Sequence, residues 1–178
     1  ELGYELYVPT EQAVHVYDRI VAAGPEFGLR HAGLKALASL RLEKGYRYWS
    51  LDISPDYTPF EAGLGFAVKL DKGIDFIGRE ALQRLREQAL RKKLLSFVLG
   101  DPAAYAWGGE AIVIDGQTVG ELSSVGWSPQ AQACVGLGYV RGAAAQRTHH
   151  GTAVRGDVWG EAVAAHAWEQ WPQRPAAD

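Results

Sequence analysis

The spacing of hydrophobic positions changes partway along this chain, and the change predicts two kinds of structure. The first stretch, "ELGYELYVP", alternates apolar and polar side chains, the period-two signature of a half-buried strand. It places Glu1 and Glu5 on one face with Gly3 and Tyr4 between them. Pro9-Thr10 ends that strand and supplies an N-cap, after which Ala13, Val14, Val16, Tyr17, Ile20 and Val21 recur at helical spacing as far as Gly24. A second helix is predicted over Leu34 to Glu43, stopped by Gly45. A third runs from Arg79 to about Ala89, with Leu82 and Leu85 inward and Arg84, Arg86, Arg91, Lys92 and Lys93 in water.

Beyond residue 92 the pattern becomes short strands and turns: "KLLSFVLG", "GEAIVIDGQTVGELSSVG", "ACVGLGYV" and "GTAVRGDVWGEAVAAHAWE". Asp115-Gly116, between "AIVI" and "QTVGEL", is a hairpin signal. Many short antiparallel strands in so little chain predict a small barrel or sandwich. The fold class expected is therefore α+β. Residues 1–91 form the end of an α+β domain, residues 92–170 a small antiparallel β-barrel, and residues 171–178 a frayed tail, with "SSVGWSP" at the junction.

Composition narrows the possibilities. The chain has 178 residues, 47% of them hydrophobic, enough for one domain or two small ones with a real core. Its net charge of −3 argues against nucleic acid or an anionic membrane as partner, because both require a basic face. The single cysteine, Cys134, leaves no internal disulfide framework or thiolate zinc site and suits a reducing compartment. No apolar run approaches the roughly 20 residues of a membrane-spanning helix. The expected location is the cytoplasm, or the mitochondrial matrix in a eukaryote. The chain contains no Met, even at position 1, which reads as a segment of a longer polypeptide whose upstream portion holds essential residues.

Few groups carry chemistry by spacing alone. His149 and His150 are adjacent among turn residues with no second cluster, so no metal site is expected. Ser123 and Ser124 show no recognisable His or Asp partner, and Gly63 with Gly65 makes a weak nucleotide fingerprint because no helix follows. The loop "GYRYWSLD" is more informative. It groups Tyr46, Tyr48, Trp49 and Asp52 after a helix, and an aromatic loop beside a carboxylate suits a flat heteroaromatic ligand. A hydrophobic plug between domains fits the same residues equally well.

Four segments in order, "GYELYVP" at 3–9, "AGLKALASLRLEKGYRYWSLDI" at 32–53, "TPFEAGLGFAVKLDKGIDFIGREAL" at 58–82 and "GELSSVGWSPQAQACVGLGYV" at 120–140, carry a family resemblance. The chain resembles the folate-dependent aminomethyltransferase family, the T-protein of the glycine cleavage system. It is most similar to the related domain of dimethylglycine and sarcosine dehydrogenases and oxidases, toward which "EKGYRYW" and "PFEAGLGFAVKL" lean. The resemblance implies a folate-binding domain followed by a C-terminal barrel. It implies that Glu5 holds the pterin, whose edge offers two parallel N–H donors to a carboxylate. Glu1 matches the preceding acidic position, Tyr4 lies beside Glu5, and Trp49 takes the place of a cavity-wall Tyr.

The departures are specific. Leu37 and Ala38 stand where T-proteins carry an Arg-Asp pair whose Arg helps hold folate, which leaves Arg41 as the nearest cation. The family's catalytic Asp lies upstream of residue 1, so no catalytic residue is expected here and the segment alone should be inactive. The family's C-terminal folate-contacting motif does not align with "HAWEQWPQRPAAD". Three functions fit. The first is the tetrahydrofolate-binding part of a flavoenzyme that oxidises a small N-methyl amine, with FAD in an upstream module of the same polypeptide, making 5,10-methylenetetrahydrofolate. The second is a stand-alone aminomethyltransferase or folate-dependent demethylase. The third is a non-enzymatic folate-binding module.

Overall fold

The computed structural model describes residues 3–148, 152–158 and 161–168. They divide into two compact units, Glu1–Leu34 and Lys35–Asp178. His149, His150 and the tail at 171–178 lie outside the described residues, as does Glu1.

In the first unit, residues 3–9 make no ladder, so the expected strand is absent among the described residues. Alternation alone cannot make a strand, because its backbone groups need a partner to bond. Helix α1 spans Thr10–Ala23. Its N-cap is Pro9 (φ −56°, ψ 144°) and not Thr10, which already lies within the first turn. The helical spacing is as expected, yet Val14, Tyr17 and Ile20 remain exposed. A short 3-10 turn, Gly24–Phe27, follows and closes on Gly28 in the left-handed region.

Helix α2, Leu34–Glu43, lies in the second unit from Lys35 onward, and Gly45 stops it with φ 64°. An irregular stretch leads to helix α3, Arg79–Arg86. Leu82 and Leu85 of α3 are half-buried while Arg84 and Arg86 are exposed, as the spacing predicts. Six strands then form a closed antiparallel barrel, as the texture change predicts: β1 (Lys92–Leu99), β2 (Ala111–Ile114), β3 (Gln117–Ser128), β4 (Ala133–Arg141), β5 (Ala153–Val158) and β6 (Glu161–Trp168), in the order β1-β4-β3-β2-β5-β6. One short helix, α4 (Ala143–Arg147), links β4 to β5. Asp115 and Gly116 both have positive φ, as the tight hairpin turn between β2 and β3 demands.

Two cores share the walls of this barrel. Leu95, Phe97 and Leu99 of β1 fill the interior with Ile112, Leu122, Cys134 and Val140. The opposite faces of β1 and β4 carry Leu94, Val135, Leu137 and Tyr139, which pack against Leu42 of α2 and against Tyr57. Both faces of these strands are thus covered, and β1 and β4 read as nearly continuous apolar runs for that reason. Tyr57 stacks on Tyr139 with ring centroids 4.3 Å apart, and the Lys92 ammonium caps the Tyr57 ring at 3.9 Å.

Candidate functional site

In the first unit the terminal segment presents Tyr4 and Glu5 outward, with Tyr4 84% exposed. The Tyr7 hydroxyl donates to Glu5 Oε2 at 2.5 Å, and that bond to a carboxylate holds the Tyr7 phenol above its ordinary pKa. The carboxylate retains acceptor capacity for a further donor.

The second unit contains a denser arrangement around residues 46–53. Helix α2 ends at Glu43, and its last turn aims Arg41 into the space between this loop and the barrel. Asp52 is fully buried. Its Oδ2 accepts from Arg41 Nη1 at 2.5 Å and from the Tyr48 backbone N–H at 2.8 Å, and its Oδ1 accepts from Ser123 Oγ at 2.5 Å. Its carbonyl accepts from the Tyr139 hydroxyl at 3.0 Å. Arg41 also donates from Nη1 to the Tyr46 carbonyl (3.1 Å) and from Nη2 to Ser124 Oγ (2.7 Å), and its guanidinium lies 5.6 Å from the Tyr48 ring centroid. A buried carboxylate is tolerable only when charge-paired and well bonded, and Asp52 meets both conditions.

This inward anchor dictates what the loop shows outward. The Asp52 N–H bonds back to the Tyr48 carbonyl at 2.8 Å, and Ser50, at φ 73°, donates its N–H to the Ile53 carbonyl at 2.8 Å. The tight turn leaves Tyr46, Tyr48, Trp49 and Leu51 exposed, Trp49 by 62%. Four apolar side chains are thus displayed from a backbone pinned beneath them.

Neighbouring contacts stiffen the frame. Arg47 bonds three carbonyls, those of Gly45 (2.7 Å), Ala62 (3.0 Å) and Gly63 (3.4 Å). Burial holds its pKa below the usual guanidinium value, opposed by the charges of Tyr139 and Asp52. A Cβ on Gly63 would fall 2.7 Å from Arg47 Nη2, so the glycine leaves room for this guanidinium. Thr58 and Glu61 form a reciprocal cap, Thr58 N–H to Glu61 Oε2 at 3.0 Å and Glu61 N–H to Thr58 Oγ1 at 3.2 Å. Glu43 Oε1 accepts from Ser128 Oγ (2.6 Å) and from the Gln130 N–H (3.0 Å), and the Ser39 hydroxyl bonds the Trp127 carbonyl. The "SSVGWSP" segment is where the barrel meets α2 and this loop.

Of the residues singled out from sequence, Arg41 and Trp49 are brought to one loop, Trp49 on its outer side and Arg41 beneath it. Glu5 and Tyr4 sit together in the other unit, and Glu1 lies outside the described residues. The aromatic loop is as expected, but its carboxylate is not offered to a ligand because Asp52 faces inward. Ser123 and Ser124 do have partners, Asp52 and Arg41, which are far away in sequence and carry no local signal. Glu61 was legible as the fourth residue of "TPFE", a capping spacing. No group of His, Cys, Asp and Glu that could hold a metal ion occurs among the described residues. Nor is any helix there long and apolar enough to cross a membrane.

Comparison with known proteins places this geometry in a lineage. The GCVT N-terminal domain model matches residues 1–72, and the model of the glycine cleavage T-protein C-terminal barrel domain matches residues 92–171. Human sarcosine dehydrogenase is 41% identical over 140 residues, covering 79% of this chain and 15% of that protein. The mouse pyruvate dehydrogenase phosphatase regulatory subunit is 41% identical over 144 residues, covering 79% and 16%. The aminomethyltransferase of Halothermothrix orenii is 43% identical over 144 residues, covering 79% and 39%. The crystal structure of the glycine cleavage system aminomethyltransferase T from Bartonella henselae shares the fold, with a TM-score of 0.76, 24% identity, and coverage of 90% of this chain and 44% of that one. The chain thus spans less than half the length of each of these proteins. With both of its characteristic domains matched in order, the chain belongs to the glycine cleavage T-protein family.

Proposed function

We propose that the chain is the tetrahydrofolate-binding, one-carbon transfer part of a larger protein that oxidises a small N-methyl amine. The observation that carries this is the loop at 46–53, whose exposed Tyr46, Tyr48 and Trp49 stand on a backbone fixed by buried Asp52. Exposed aromatics on a mobile loop lose entropy when they bind, whereas a fixed platform offers its faces to a flat ring at little cost. In the other unit, Glu5 is the residue the family resemblance assigns to the pterin, a carboxylate that accepts from adjacent N–H donors. Tyr4 precedes it directly, and Glu1 stands four positions earlier in the sequence. Arg41 supports the platform from beneath through Asp52 and Tyr48.

The reduced folate supplies the nitrogens that take up the one-carbon unit. The chain's own part is to bind and orient it, which can account for most of the barrier when two reactive partners need only be held together. The amine oxidation, with its FAD, belongs to the preceding portion of the polypeptide. The setting is the cytoplasm, or the mitochondrial matrix if the source is a eukaryote; the two mammalian relatives above are mitochondrial by name.

The test is titration of tetrahydrofolate into the full-length protein, beside dye-linked amine oxidation on the same preparations. Glu5→Gln turns an acceptor into a donor facing a donor. It should weaken folate binding about ten- to hundredfold while oxidation stays near normal. Trp49→Ala should weaken binding about tenfold. Unchanged affinity in both variants would reject the folate site. It would favour a second function, a protein-contact module, which the 41% identity to a phosphatase regulatory subunit supports.

A further inference from the structure

We propose that Asp52 is a positioning residue for this site, and that the barrel governs ligand affinity through it without touching the ligand. The proposal rests on the folate-platform function above and adds the device that sets the platform. The key observation is an irregularity in β3. Pairing with β4 runs Leu122↔Gly138 and then Ser124↔Leu137, so Ser123 has no partner across the ladder. An extra residue in one strand of an antiparallel pair is a β-bulge, and such insertions re-aim a side chain out of the sheet. Here the bulged Ser123 sends its hydroxyl to Asp52 Oδ1 at 2.5 Å, and the next residue, Ser124, receives Arg41 Nη2 at 2.7 Å.

Two consecutive barrel residues therefore address the two partners of one buried ion pair. Asp52 Oδ2 in turn holds the Tyr48 N–H, and the Tyr48 carbonyl receives the Asp52 N–H, closing a small ring. The ring forces the chain to turn through Ser50 at φ 73°, a conformation disfavoured for a residue with a side chain unless its surroundings impose it. Tyr48 and Trp49, two of the platform aromatics, lie within that ring's span. A loop that needed only to be anchored could have used an apolar plug. A fully bonded carboxylate instead fixes direction, since each oxygen is committed to named donors.

Ser123→Ala removes one donor while leaving charge, volume and the Arg41–Asp52 pair in place, and Ser123→Thr restores the hydroxyl. Both should fold. In the full-length, ligand-free protein, hydrogen–deuterium exchange followed by mass spectrometry reads the peptide covering residues 46–53 against peptides from β1 and β4. Ser123→Ala should speed exchange at 46–53 by about tenfold or more with β1 and β4 unchanged, and should weaken tetrahydrofolate binding about tenfold. Ser123→Thr should return both values toward those of the parent protein. Unchanged exchange at 46–53 in Ser123→Ala would overturn the proposal. So would faster exchange with unchanged folate affinity in a protein where Trp49→Ala weakens binding. If exchange rises but neither Ser123→Ala nor Trp49→Ala alters folate binding, the positioning ring stands and the folate assignment is what fails.

Discussion

Replacing Arg41 by methionine keeps much of the side chain's volume and deletes its charge, so it measures what the guanidinium does. In the structure that guanidinium is committed to Asp52 Oδ2 (2.5 Å), the Tyr46 carbonyl (3.1 Å) and Ser124 Oγ (2.7 Å), with 13% of the side chain exposed. Its loss leaves the buried Asp52 carboxylate with two neutral donors, Tyr48 N–H and Ser123 Oγ, and, among the described residues, no ion-pair partner. Stranding one member of a buried pair costs about 3–5 kcal/mol. For a domain of this size that corresponds to a fall of about 6–20 °C in Tm. Calorimetry should show this drop for Arg41→Met, and about 1 kcal/mol or more of it should return in Arg41→Met/Asp52→Asn, where no charge is left unpaired. Arg41→Lys should fall between, because an ammonium cannot reproduce the fork that reaches three acceptors. An unchanged Tm for Arg41→Met together with lost folate binding would refute the reasoning and place Arg41 on the ligand.

Tyr139→Phe should cost about 0.5–1.5 kcal/mol through loss of the 3.0 Å bond to the Asp52 carbonyl. It should also change the alkaline limb of the stability profile. Burial first, and then the charges of Tyr57, Asp52 and Glu61, hold the Tyr139 phenol well above its ordinary value. The unfolded chain therefore loses this proton near pH 10 while the folded one keeps it, so stability falls as pH rises past about 10. Urea unfolding between pH 8 and about 11 should show a shallower loss in the variant, and an identical slope would refute the assignment. Gly120→Ala should prevent the barrel from forming, because its Cβ would fall 1.8 Å from the Tyr139 carbonyl oxygen across the β3–β4 ladder. Soluble protein with parental Tm would contradict that contact.

The barrel was readable because its strands announce themselves locally: β-branched runs, regular turn residues and an Asp-Gly hairpin. Helix α2 was readable in the same local way, with Gly45 as its stop. The opening segment misled because alternation records which residues could face a core, and not whether a partner strand is there to bond the backbone. Thr10 misled because Pro9, with its fixed φ, already makes the turn into α1. At the site, "GYRYWSLD" revealed an aromatic loop but not that Asp52 turns away from it. That orientation is set by Arg41 and by Ser123, the latter 71 residues along the chain. The bulge that aims Ser123 is a matter of register between two strands, and register has no signature within one of them.

Barrel closure also imposes an order of events on synthesis. Strand β1 is the first of the six to leave the ribosome, yet one of its two neighbours is β6, the last: Phe97 pairs with Ala167 and Leu99 with Ala165. Until residue 168 has emerged, one edge of β1 is without its final partner and the hydrophobic interior around Phe97 is open along that seam. Pairing across so long a stretch demands the loop entropy in advance, which makes the closing step slow relative to forming the β2–β3 hairpin. Ribosomal stalling or premature termination before β6 would therefore release a chain with a templating edge, vulnerable to association with its own copies, whereas a few residues more would seal it.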